Sequence, residues 1–381
     1  MNKLLKILIL LTLTVHCHGQ TMKVEEYFEW YSKNYIINNP SFAHSDTEFV
    51  FSKQFNIPDG GNAIGREKYV QGLLIKAKKD KRFADPVVSI INLKTKKLTA
   101  IDYGWTPGFS KDDNLILYTF QTKPITGYRV LASTTKGNDI KIYNRSKKLY
   151  EVIAIPGKSF FLDPEFLGPS GISFKVGAAV NGSYGGGTGL NIFNLSTKKT
   201  DTILRPNQKF GNFSLAGAIQ KYNYDICFTS CEPVDSFTYR YLLRNPKGVI
   251  IYFGKGYLKD LDLKVAINEQ DNILYLDDDH DHVSDTNFLI KYNQNIQVSK
   301  TPLLFEYNKA YLSPNGQYMF YEDSKSNFYL INLQSFEKVK IILPDREIHS
   351  ITWSPDFKKF AIVQDHETFT DTDKIRLFKI R

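Results

Sequence analysis

The chain has 381 residues, 42% of them hydrophobic and 23% charged, which excludes a disordered polymer. Its 27 Phe and 23 Tyr against 3 Met favour pleated, half-buried surfaces. The net charge of +9 is scattered, often as Lys-Lys pairs in turns, without the basic stripe of a nucleic-acid binder, and beyond the N-terminus no apolar run is long enough to span a membrane.

Residues 1–19 read as an export signal. Lys3 and Lys6 precede a short apolar run from Ile7 to Val15, and Gly19 offers a cleavage position ahead of Gln20. A lipid anchor on Cys17 ranks second, because His16 stands where a small residue is needed. Cleavage removes two Lys and no acid, leaving a charge of +7. A secreted, periplasmic or cell-surface location follows, and it puts Cys227 and Cys231 in an oxidising compartment. Four residues apart on a strand, their Cα atoms would lie about 13 Å apart, so a disulfide needs a turn near Ser230–Pro233. That bridge stays open.

Residues 20–40 form a separate helical segment in this reading. Val24, Tyr27, Phe28, Tyr31 and Tyr35 fall near a helical stripe over Met22–Ile37, and Asn38-Asn39-Pro40 would stop it. From residue 41 to 381 the chain is short apolar or alternating runs between polar turns, which is strand punctuation.

One unit recurs there: a strand ending in Asn, a short polar turn, and a second strand. Its marker residues are Asn92, Asn144, Asn194, Asn245, Asn293 and Asn332, at intervals of 52, 50, 51, 48 and 39. A second strand pair lies between these hairpins, as in Tyr311–Asp323 and Ile351–Asp365. Two strand pairs per period of about 48 residues are the signature of a four-stranded β-propeller blade. The expected fold is therefore all-β, with seven four-stranded blades, or six as the alternative, and one short N-terminal helix. Leu312-Ser313-Pro314-Asn315-Gly316-Gln317-Tyr318-Met319-Phe320 and Trp353-Ser354-Pro355-Asp356-Phe357-Lys358-Lys359-Phe360-Ala361 resemble the blade motif of TolB-type propellers, a kind common among exported bacterial proteins. The resemblance implies architecture and not a reaction, since such propellers include scaffolds, binding proteins and non-catalytic parts of peptidases. The last blade has chain for only three strands. Thr47–Gln54 is expected to supply the fourth, outside Lys374–Ile380.

Candidate chemistry is sparse. Asp277, Asp279, Asp281 and Asp285 have the alternate spacing of a calcium loop like those of integrin-type propellers, although His282 replaces the usual turn glycine. The rival reading is a solvated acidic turn. His280 and His282 are a weak zinc pair. Gly182–Gly189 lacks the Lys of a phosphate loop and reads as a loop between hairpins. Gly168-Pro169-Ser170-Gly171 is not a nucleophile elbow, because Ile172 takes the place of the last glycine. No cofactor is implied beyond Ca²⁺. The sequence favours an exported, monomeric, non-catalytic module for a protein or carbohydrate partner. The alternative is a propeller-class enzyme, a glycoside hydrolase or lyase or a peptidase relative, with its site in the central funnel.

Overall fold

The computed structural model describes residues 22–33, 35–55, 82, 85–121, 138–153, 160–167, 170–180, 183–204, 214–215, 220–222, 225–233, 238–245, 248–257, 264–268, 272–277, 287–343, 347–365 and 372–381. After β1 (Val24–Lys33), the first blade is β2 (Tyr35–Phe42), β3 (Glu48–Phe55), β4 (Val87–Asn92) and β5 (Leu98–Tyr103). Blade 2 is β6 (Trp105–Phe109), β7 (Leu115–Gln121), β8 (Asn138–Asn144) and β9 (Leu149–Ile153). Blade 3 is β10 (Phe160–Leu167), β11 (Gly171–Val180), β12 (Ser183–Asn194) and β13 (Thr200–Leu204). Blade 4 contains β14 (Ser214–Leu215), β15 (Gln220–Tyr222), β16 (Asp225–Pro233), β17 (Thr238–Asn245) and β18 (Gly248–Tyr257). Blade 5 is β19 (Val265–Ile267), β20 (Asn272–Asp277), β21 (Phe288–Asn293) and β22 (Ile296–Pro302). Blade 6 is β23 (Lys309–Leu312), β24 (Tyr318–Glu322), β25 (Phe328–Asn332) and β26 (Lys338–Ile341). Blade 7 is β27 (Glu347–Trp353), β28 (Lys359–Asp365) and β29 (Thr372–Ile380), with β1 as its fourth strand. These are seven separate antiparallel sheets, and the fold is an all-β propeller.

All six marker asparagines end the third strand of their blades. Asn92, Asn194 and Asn332 each use Oδ1 to accept the backbone N–H groups two and three residues on, closing the outer hairpin locally. The second recurrent turn is equally local. Ser354 Oγ accepts the Lys359 N–H at 2.9 Å and donates to Asp356 Oδ1 at 2.6 Å, and Ser110 and Ser313 repeat this geometry. Blades pack face to face through apolar side chains. Phe320, Phe328 and Leu330 of blade 6 meet Phe360 and Phe378 of blade 7, with the rings of Phe360 and Phe378 5.0 Å apart.

Three expectations are corrected. Met22–Ile37 is not a helix but the strands β1 and β2. A β-bulge between Glu26 and Phe28 shifts the alternation of β1 by one residue. Before the bulge Val24 faces blade 6; after it Phe28 and Trp30 face blade 1, and the combined spacing imitates a helical stripe. The propeller therefore begins at Val24 and not at residue 41. Closure by an N-terminal strand does occur, but the strand is β1, paired with β29 from Val24↔Ile380 to Lys33↔Thr372. Thr47–Gln54 falls in β3, an inner strand of blade 1. Finally, Cys227 and Cys231 both lie on the extended strand β16 with no turn between them, which closes the option of a bridge joining them. The glycine run from 183 onward is likewise strand, paired with β11, and not loop.

Candidate functional site on the inner wall

The first strand of each blade borders the central channel. In blades 1, 2 and 3 that strand carries the same irregularity. Asn39, Thr106 and Asp163 have φ of 49°, 47° and 48°, and each is followed by proline. In all three the register slips at this point, leaving two residues unpaired. The pairing then resumes identically, at Ser41↔Val50, Gly108↔Leu117 and Glu165↔Ser173. A Phe follows in each case: Phe42, Phe109 and Phe166. Left-handed backbone at a non-glycine residue costs about 1–3 kcal/mol, so three aligned copies mark a strained feature of the wall. Proline removes a backbone donor that the bulge would otherwise leave unpaired, which explains its place there.

This repeat was visible in the sequence as Asn39-Pro40-Ser41-Phe42, Thr106-Pro107-Gly108-Phe109 and Asp163-Pro164-Glu165-Phe166. Insertions between the second and third strands of blades 1 and 2 hid it, because they stretch the spacing beyond that of the marker asparagines.

The polar groups of the wall are partly spoken for. Lys175 Nζ lies 3.1 Å from Asp163 Oδ2, and Thr106 Oγ1 lies 3.1 Å from Thr119 Oγ1. Glu165 meets water along the channel but is walled in by protein on its other sides. That enclosure pushes its carboxyl up to about 7, with Lys175 opposing the shift and Asp163 adding to it.

Other ionisable clusters serve structure. Asp102 accepts hydrogen bonds from Tyr118 at 2.7 Å and Lys141 at 2.9 Å, joining blade 1 to blade 2. At the closure seam Glu29 Oε2 lies 3.0 Å from Lys374 and 3.1 Å from Arg376, while Glu26 lies 3.5 Å from Arg376. A cavity of about 450 Å³ opens between blades 5 and 6.

Of the sequence-derived metal residues, Asp277 ends β20, whereas Asp279, Asp281 and Asp285, with His280 and His282, lie outside the described residues. Among the described residues no group of three or more His, Cys, Asp or Glu is placed to hold a metal. Among them, too, no helix is long and apolar enough to cross a membrane.

No family model matches the chain, and no curated protein does. Solved structures do. One, described as oligogalacturonate lyase in complex with manganese, is 12% identical, with a TM-score of 0.54 over 95% of this chain and 97% of that one. Another, the β-propeller domain of the Trilobed protease from Pyrococcus furiosus, described as having an open velcro topology, is also 12% identical. Its TM-score is 0.56 over 92% of this chain and 95% of that one. These likenesses establish the class, a β-propeller spanning almost the whole chain, and at this identity they speak for fold alone.

Proposed function

We propose that this chain is an exported propeller of the TolB-like kind that binds a protein or glycan partner on the channel wall of blades 1–3 without turning it over. The observation that carries the reading is the aligned, strained bulge at Asn39, Thr106 and Asp163. Backbone strain held in register across three blades is the kind of feature that survives at ligand-facing positions. Asp163 is ion-paired with Lys175, which suits recognition better than proton transfer. Export rests on the composition of residues 1–19. A calcium role for Asp277, Asp279, Asp281 and Asp285 rests on their spacing alone.

The test is a glycan and protein array probed with the secreted chain and with the triple variant Asn39→Gly, Thr106→Gly, Asp163→Gly. Glycine keeps the left-handed backbone and removes the three side chains. The reading requires binding by the natural chain and its loss in a variant that remains folded. Equal binding by both would defeat it. Glu165 favours a second reading, a funnel-site enzyme, because a carboxyl titrating near neutrality suits a general acid. That reading requires turnover that Glu165→Gln abolishes.

A further inference from the structure

The cavity between blades 5 and 6 is distant from the inner wall and independent of the reading above. One side is the face of blade 5 that looks towards blade 6. Its floor is Leu274 and Leu289, and the cross-strand row Leu274↔Lys291↔Ser299 carries it outwards, with Thr301 beside it. The other side is the Asn315–Gln317 turn of blade 6 together with Gln334 and Phe336 of its outer hairpin. Gly316, at φ +66°, brings this turn so close that an added Cβ would sit 2.2 Å from Leu274 Cδ1.

Two residues here break the repeat. The residue two before the marker asparagine is aliphatic in the other five marked blades: Ile90, Ile142, Ile192, Leu243 and Leu330. In blade 5 it is Lys291, half-buried and placed where its counterparts in blades 1, 2, 4 and 6 join apolar core. The left-handed residue of the outer hairpin is Lys96, Lys148 and Lys198 in blades 1–3 but Phe336 in blade 6, at φ 57° and 45% exposed. Both departures line the same cavity from opposite sides.

Among the described residues the Lys291 ammonium has no ion-pair partner, and none of the described lining residues is an acid. The side chains of Ser299, Thr301 and Gln334 likewise have no hydrogen-bond partner among the described residues. A half-buried cation without a counterion is unfavourable unless a ligand brings the charge. Free hydroxyl and amide groups suit a ligand rich in hydroxyls, and an exposed ring at the mouth suits the apolar face of a pyranose. The volume lies within the usual range of small-molecule sites.

We propose that this cavity binds a sugar residue carrying one carboxylate, with Lys291 as its counterion and Phe336 as its stacking platform. The probes are methyl glucuronide, methyl glucoside and acetate, titrated by ligand-observed NMR against the full mature chain. The proposal expects saturable binding of the glucuronide, about tenfold tighter than the glucoside, as one charge-assisted contact would give. Lys291→Leu restores the aliphatic pattern of the other blades, so it should fold with an unchanged or higher melting temperature and lose that preference. Phe336→Asn tolerates the left-handed backbone and should weaken both sugars. Several results would overturn the site: no saturable binding, equal binding of glucuronide and glucoside, acetate binding as tightly as glucuronide, or glucuronide binding unchanged in Lys291→Leu. The channel-wall glycine variant should leave glucuronide binding intact, which keeps the two proposals separable.

Discussion

At the residue scale the blades are held by short polar side chains that close turns on their own backbone. Ser354 is fully buried and serves as both donor and acceptor within five residues. Ser354→Ala leaves the Lys359 N–H and the Asp356 carboxylate without that partner, and should cost about 1–3 kcal/mol in denaturant titration. An effect under a few tenths of a kcal/mol would mean that the turn is set by backbone alone. Glu165 gives a prediction with a sign. Its folded carboxyl is raised from 4.5 to about 7, so the folded state holds a proton that the unfolded chain has released. The associated stability is complete below pH 4.5 and is lost as pH rises to about 7. Glu165→Gln should flatten the dependence of melting temperature on pH across that window; an unchanged slope would assign it to other groups. Such turns were legible in the sequence because the bonds of Ser354 and Asn332 span at most five residues. Lys291 and Phe336 become legible only once the blades are aligned on their asparagines, since each is ordinary until compared with its counterparts.

At the element scale the decisive strand is β1. It covers the backbone edge of β29, which would otherwise be the bare edge of blade 7. Glu29 ties the seam through Lys374, Arg376 and Tyr31. Burial pulls the Glu29 carboxyl upward, but hydrogen bonds from Tyr31 and Lys374 and the charges of Lys374 and Arg376 outweigh it and hold the group below its ordinary 4.5. The seam's ionic contribution is therefore present above pH 4.5 and fades as pH falls through the lowered value. Glu29→Gln should lower stability by about 2 kcal/mol at pH 7. Its gap from the natural chain should narrow in acid, as read from unfolding midpoints; a gap constant with pH would remove Glu29 from the seam. Deleting residues 20–33 should broaden and lower thermal unfolding of the whole ring, whereas an unaltered midpoint would show that β1 is dispensable. This strand could not be read locally. Its partner lies some 350 residues away, and its bulge erased the alternation that marks a strand. The aromatic run Tyr27, Phe28, Trp30 and Tyr31 was the better signal, because such residues favour strands.

At the scale of the whole molecule, seven sheets make a ring in which blade 7 packs against both blade 6 and blade 1. The described ion pairs mostly join strands within a blade or link neighbouring blades, as Arg145 does with Glu48 and Lys359 with Asp46. Such a ring leaves its channel wall as the place where strain and polar groups converge, and this is why we read binding and not catalysis from it. The most direct measurement is the mass of the ligand recovered after long incubation with the secreted protein. The binding account predicts that the ligand returns intact and is retained less by the triple glycine variant at Asn39, Thr106 and Asp163. A cleaved or unsaturated product that disappears with Glu165→Gln would contradict it.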